Sequence, residues 1–213
     1  IEYCSAKQAL KAAVEYMDTP ATSVIDLVTI EALMYARDDQ GYREAIEQSD
    51  LVLPGQKDIL EAAGITDSRS IRETASQTFL RLWLKYLHRN HCRVYLLVET
   101  DEEVDALTGC LTEEYRGIAI VGVAKVAPGT EADDMLVNAI NGGEADCVIA
   151  ILTPPVQEQF IARNRSQINT RVWLGAGKLM EFAYRQKSGK GKVMTFLDRM
   201  LFRREIEKTK KES

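Results

Sequence analysis

Short runs of uninterrupted apolar residues, separated by longer stretches with helical spacing, constrain this chain more than any other feature. Residues 94–98, 118–123, 147–152 and 172–174 are apolar at successive positions rather than at alternate ones. A strand of that kind is buried on both faces, and a sheet covered by helices on both faces is normally parallel. Residues 23–28 and 50–53 read the same way, the second stopped by Pro54-Gly55. Helical spacing is expected over 5–17 with Ser5 as N-cap, and over 31–36, 42–48, 102–115, 131–140 and 156–166. The longest such pattern spans 71–88, where Phe79, Leu80, Trp83, Leu84 and Leu87 fall on one face. The alternation predicts an α/β chain: a Rossmann-like, mostly parallel sheet with helices on both faces.

Composition decides what kind of α/β protein this is. The chain has 213 residues, 46% of them hydrophobic, enough for one substantial core. No apolar run approaches the ~20 residues of a membrane-spanning helix, and no secretory leader is visible. The first residue is Ile1 rather than Met, so a trimmed or processed start is expected. Cys4, Cys92, Cys110 and Cys147 form no Cys-x-x-Cys pair and are read as reduced thiols. With only His88 and His91 beside them, no metal site is expected. Those two histidines are read as capping the end of the longest helix.

Charge is unevenly spread. Residues 185–213 carry ten Lys/Arg against four Asp/Glu, a net +6, while the other 184 residues carry 17 against 28, a net −11. The acidic body argues against nucleic-acid binding. The tail is a separate question: Val193, Phe196, Leu197, Met200 and Leu201 share a helical face flanked by Lys192, Arg199 and Arg203. Two readings stay open, a helix lying on an anionic membrane surface and a helix packed on the domain or on a second copy. The expected organisation is one α/β domain, residues 1–184, and a basic helical appendage, residues 185–213.

Ligands of open α/β sheets bind beyond the carboxyl ends of the strands. The residues there carry the chemistry. Neither a P-loop nor a Gly-x-Gly-x-x-Gly fingerprint is present, so no cofactor is expected. Gly175-Ala176-Gly177 follows a strand and would let a phosphate approach the backbone, or else makes a tight turn. Thr153-Pro154-Pro155 is followed by Gln157 and Glu158 in the first turn of a helix. Glu158 complements the helix dipole there, whereas the Gln157 amide can both donate to and accept from a sugar. After Pro54-Gly55 come Gln56, Lys57 and Asp58, which suit acid–base or phosphate chemistry, or simply form a solvated helix start. Thr29 and Glu181 complete the candidate set.

Several of these segments together resemble one family. Asp50-Leu51-Val52-Leu53-Pro54, Val94-Tyr95-Leu96-Leu97, residues 117–122, Gln157-Glu158 with Ile161-Ala162-Arg163-Asn164-Arg165, and Gly175-Ala176-Gly177 are similar in order and spacing to the WecG/TagA/CpsF glycosyltransferases, family 26. Ala36-Arg37-Asp38-Asp39 and Tyr42-Arg43-Glu44-Ala45 extend the likeness upstream, so it covers most of residues 24–182.

The resemblance implies transfer of an N-acetylmannosamine-type sugar from a UDP donor to an undecaprenyl-diphosphate-linked acceptor, with inversion. It further implies a cytoplasmic enzyme that meets the inner face of the membrane through its tail. It makes Gln157 a catalytic candidate and assigns Glu158, Gly175, Gly177, Thr29, Gln56 and Glu181 to substrate contacts.

It also exposes departures. Where the family has Pro-Asp-Gly, with a presumed base, this chain has Pro54-Gly55-Gln56, leaving Asp58 as replacement base. The family's Thr-x-Asn becomes Leu27-Val28-Thr29. Its Gly-Thr-Asp becomes Ala75-Ser76-Gln77, its Gly-Gly becomes Val98-Glu99 and its Phe-Asp-Phe becomes Met180-Glu181-Phe182. Two function classes therefore stand: an active transferase, with a homo-oligomer possible, and a catalytically silent member kept as a ligand- or partner-binding module.

Overall fold

A computed structural model describes residues 1–126 and 133–181. Its elements run α1 (Ala6–Met17), β1 (Ser23–Val28), α2 (Ile30–Asp38), α3 (Gln40–Glu47), β2 (Leu51–Pro54), α4 (Lys57–Ala62), α5 (Ser68–Ala75), α6 (Thr78–Arg89), β3 (Arg93–Val98), α7 (Asp101–Glu114), β4 (Ala119–Lys125), α8 (Asp133–Gly142), β5 (Cys147–Ala150), α9 (Val156–Asn164) and β6 (Val172–Gly175), followed by a 3₁₀ turn at Gly177–Glu181. The six strands form one parallel sheet in the order β2-β1-β6-β5-β3-β4. The expected α/β sheet is the one observed. The appendage expected over 185–213 lies outside the described residues.

Each strand sends alternate side chains to opposite faces, and the core divides accordingly. Leu51, Leu53, Val94, Leu96 and Val98 pack with α1, α6 and α7. Tyr95, Leu97, Val148 and Ala150 pack with α8 and α9, and Val28 and Val52 with α2 and α3. Crossovers from a strand to a parallel neighbour are nearly always right-handed, so direction of travel fixes the face. The β2-to-β3 and β3-to-β4 connections run one way along the sheet and share the first face. The β1-to-β2, β4-to-β5 and β5-to-β6 connections run the other way and share the second.

Local signals account for several boundaries. Ser5 caps α1 in a reciprocal capping box with Gln8. The single long helix expected over 71–88 is in fact two. Gln77 adopts φ 53° between α5 and α6, a left-handed conformation that no continuous helix tolerates. The apolar face resumes at Phe79, so its period hides the break. His88 closes α6 by accepting the Gly117 N–H at Nδ1, 2.7 Å away, and so ties the helix end to the start of β4.

Candidate functional site

Neighbouring strands whose outgoing chains leave toward opposite faces open a crevice at their carboxyl ends. Two of the pairs that meet this condition flank the candidate residues. The β1 chain leaves to the α2–α3 face and the β2 chain to the α5–α6 face. The β5 chain leaves to the α9 face and the β3 chain to the α7 face.

The β1/β2 crevice is an open cleft. Ala6, Ala9, Leu27, Leu53, Phe79 and Leu80 make an apolar floor, and Ser70, Glu73, Thr74, Gln77 and Thr78 a polar rim. Glu73 accepts the Ala6 N–H at 2.8 Å and an Arg69 hydrogen bond at 2.9 Å. The Ala6 N–H, then Arg69, hold its carboxyl below the usual range against the opposing effect of burial. Gln77 donates from Nε2 to the Gly55 carbonyl at 2.6 Å.

Gly55 itself has no room for a side chain. A β-carbon there would lie 2.4 Å from Leu179 Cδ1 and 2.8 Å from the Val28 carbonyl oxygen. Thr29 caps α2 by accepting the Ala32 N–H, and Gln56 accepts the Ile30 N–H at 2.8 Å. Both therefore brace this edge of the sheet. Asp58, in the first turn of α4, is 4% exposed, which corrects the expectation of a solvated helix start.

A wall of buried polar groups runs between the two crevices. Asp26 on β1 pairs in register with Gly175 on β6. A β-carbon at Gly175 would lie 2.0 Å from Asp26 Oδ1 and 2.5 Å from Gln157 Nε2, so only glycine fits. Gln157 accepts the Gly177 N–H at 3.1 Å and donates to Glu158 Oε1 at 3.1 Å. Its amide thus holds the Gly175–Gly177 turn from inside. Gly177 has φ 50°, a left-handed turn conformation.

Ser49 donates to Asp26 Oδ2 at 2.5 Å, while Asp26 Oδ1 and Glu158 Oε2 are buried without hydrogen-bond partners among the described residues. Burial, and then the neighbouring Glu158 charge, push the Asp26 carboxyl far above the usual carboxylate range, and the Ser49 bond opposes this. Burial raises Glu158 in the same way. Two such carboxyls in one dry site favour sharing a proton over ionising together. The Tyr42 hydroxyl stands beside Glu158 without a hydrogen bond of ordinary geometry, and burial raises it too.

The β3/β5 crevice is narrow and already filled. Glu99, just past β3, reaches across to Thr153, just past β5. It accepts the Thr153 N–H at 2.6 Å and the Thr153 hydroxyl at 2.9 Å. Lys178 Nζ lies 2.7 Å from Glu99 Oε2 and also donates to Glu103 and to the Ile151 carbonyl. Burial by itself would raise Glu99, but the bonds from Lys178 and Thr153 outweigh it and hold the carboxyl low. Burial lowers Lys178, and Glu103 and Glu99 together raise it above its ordinary value.

A family model described as the glycosyl transferase WecG/TagA/CpsF family matches residues 1–194. The chain belongs to that family. It is similar to the N-acetylglucosaminyldiphosphoundecaprenol N-acetyl-beta-D-mannosaminyltransferases of Staphylococcus aureus strains NCTC 8325 and COL, at 25% identity over 154 residues. The protein of strain MRSA252 is 24% identical over the same length. The match covers 71% of this chain and 59% of each relative, so the chain spans about three-fifths of the length of the curated relatives it matches.

Within this WecG/TagA/CpsF member, the structure gathers Gln157, Glu158, Gly175 and Gly177 into one wall and leaves Thr29 and Gln56 at its β1/β2 edge. Glu181 ends the 3₁₀ turn. Asp58 is buried in the first turn of α4. The sequence reading passed over Asp26, Tyr42 and Ser49. Asp26 alone carried a signal, a carboxylate in the middle of an otherwise apolar strand. Among the described residues no group of three or more His, Cys, Asp or Glu is placed to hold a metal ion. No described helix is long and apolar enough to cross a membrane.

Proposed function

We propose that this chain is the sugar-transferring domain of a WecG/TagA/CpsF enzyme. It moves an N-acetylmannosamine-type sugar from a UDP donor to a polyprenyl-diphosphate-linked acceptor. The observation that carries this reading is the family match over residues 1–194, on a sheet whose carboxyl edge holds two crevices around one polar wall. The relatives' printed activity supplies the sugar and the lipid-linked acceptor.

In an inverting transfer the acceptor hydroxyl attacks the anomeric carbon, UDP leaves with the bonding pair, and a base takes the hydroxyl proton. Gly55 occupies the place the family resemblance gives to that base, and Leu179 with the Val28 carbonyl fills the space. The base is therefore a displaced carboxylate. Asp58 is the candidate by its place after β2, and Glu73 is the carboxylate that lines the cleft. Gln157, Glu158, Gly175 and Gly177 shape the floor beneath the donor, with Thr29, Gln56 and Glu181 at its margins. Residues 185–213 bring the domain to the membrane surface by their net positive charge. We take residues 1–184 as the α/β domain.

The test is a transfer assay with UDP-N-acetylmannosamine and a lipid-diphosphate-linked N-acetylglucosamine acceptor, read as labelled lipid product. Wild type should form product. Asp58→Asn should lose roughly 10²–10⁴-fold if Asp58 is the base, with Glu73→Gln as the competing variant. Product formed equally by wild type and by both variants together would remove both assignments. No product from the wild-type chain would favour the silent binding module.

A further inference from the structure

We propose that Asp26 is a positioning residue that fixes the orientation of the Gln157 amide and, through it, the Gly177–Glu181 turn between the two crevices. Asp26 on β1 and Gln157 on α9 meet at Gly175. A β-carbon at Gly175 would lie 2.0 Å from Asp26 Oδ1 and 2.5 Å from Gln157 Nε2, so both atoms reach into the space a side chain would take. Ser49 holds the other oxygen, Oδ2, at 2.5 Å, which leaves Oδ1 as the oxygen that meets the amide. Asp26 is 1% exposed and stands in register with Gly175, so the sheet itself fixes its place.

A glutamine amide can be turned end for end, exchanging its acceptor for its donor. In the observed orientation Oε1 accepts the Gly177 N–H at 3.1 Å and Nε2 donates to Glu158 Oε1 at 3.1 Å. The reverse would set Oε1 against the oxygens of Asp26 and Glu158, and the amide NH2 against the Gly177 N–H. Both contacts are repulsive, and a dry site screens neither. Glu158 is the neighbour of Gln157 on α9 and moves with it. Asp26 is therefore the reference held in the sheet. What it fixes reaches both crevices. Beyond Gly177, Lys178 pairs with Glu99 in the β3/β5 crevice, and Leu179 fills the space beside Gly55 at the β1/β2 edge.

The proposal rests on the transferase reading only for what the crevices bind, and its test needs no activity. Native-state hydrogen exchange of the whole chain, followed by NMR, compares the Gly177 N–H with the amides of β1 and β6. The variants are Asp26→Asn, Asp26→Leu, Gln157→Leu and Asp26→Leu combined with Gln157→Leu. Asp26→Ala replaces Asp26→Leu throughout if that variant fails to fold. Asp26→Asn keeps an oxygen for the amide and should leave Gly177 protected as in wild type. Asp26→Leu should speed Gly177 exchange by roughly tenfold, the loss of one buried hydrogen bond, beyond any change shared by the amides of β1 and β6. Gln157→Leu should do the same, and the combined variant no more than either alone.

Gly177 exchange in Asp26→Leu that matches wild type would overturn the proposal. So would a change no larger than that of β1 and β6, which is what a purely structural carboxyl gives, or one that Asp26→Asn shares in full. A combined variant that adds the two single effects would mean that Asp26 does not act through Gln157. The two readings fail separately. Gly177 released by Asp26→Leu in a chain that transfers no sugar keeps the positioning role and removes the transferase. Sugar transfer by wild type, with Gly177 exchange unchanged in Asp26→Leu, does the reverse.

Discussion

The two crevices at the carboxyl edge arise from the same topological cause and have opposite contents. The β1/β2 cleft is open, floored by apolar side chains and rimmed by neutral polar groups, with Glu73 as its carboxylate. The β3/β5 crevice is closed by Glu99, which bonds to Thr153 and Lys178, and by Lys178, which also pairs with Glu103. Topology sets where a ligand can enter, while individual side chains decide whether it finds space and which charge it meets. In this chain Gly55 adds no charge beside the open cleft, whereas Glu99 places one in the closed crevice.

The wall between the crevices should be the least tolerant part of the molecule. Gly175→Ala would drive a methyl to 2.0 Å from Asp26 Oδ1 and 2.5 Å from Gln157 Nε2. The expected loss is about 3 kcal/mol or more in urea unfolding, because neither buried side chain has room to retreat. A loss below about 1 kcal/mol would mean that the wall is soft and the crevices are not separate compartments.

The same wall should give the protein an unusual pH profile. Asp26 has a folded-state pKa raised above its unfolded value, so the native state binds the proton more tightly. Its contribution to stability is full below the unfolded pKa of about 4 and is lost as pH rises through the folded value. Relative to Asp26→Asn, wild type should lose on the order of 2 kcal/mol between pH 4 and pH 8. Parallel profiles for the two proteins would show that Asp26 is ionised throughout.

Charge removal should then separate the crevices. Lys178→Met leaves Glu99 and Glu103 facing each other with side chains 17% and 11% exposed, and should cost about 2 kcal/mol. Adding Glu99→Gln should restore much of that stability. In the open cleft, Glu73→Gln breaks a pair whose Arg69 partner is 62% exposed and should cost about 0.5 kcal/mol. Equal costs for the two would erase the distinction between a closed and an open crevice.

Much of this architecture could be read from sequence because burial leaves a local trace. Residues 94–98 and 147–150 are apolar at every position since helices cover both faces, and Ser5 with Gln8 announces a helix start. The break at Gln77 left no trace, because a left-handed residue interrupts the backbone without interrupting the apolar period. Glu158 could be read as a helix-dipole residue, but its burial beside Asp26 and Tyr42 could not. Those three lie on α9, β1 and α3 and meet only after the sheet has formed. Gln157 was legible as an unusual residue at a strand end. Its inward hydrogen bonds to Gly177 and Glu158 depend on a turn that composition does not encode.

Whether the carboxyl edge is a nucleotide-sugar site is tested most directly by thermal unfolding of the whole chain with and without saturating UDP and UDP-N-acetylmannosamine. A ligand at about a hundred times its Kd stabilises by about 2.7 kcal/mol, which in a chain of this size raises Tm by roughly 5–10 °C. A rise of that order with both ligands, and none with uridine, is the expected result. A Tm unchanged by either ligand at millimolar concentration would contradict the transferase reading.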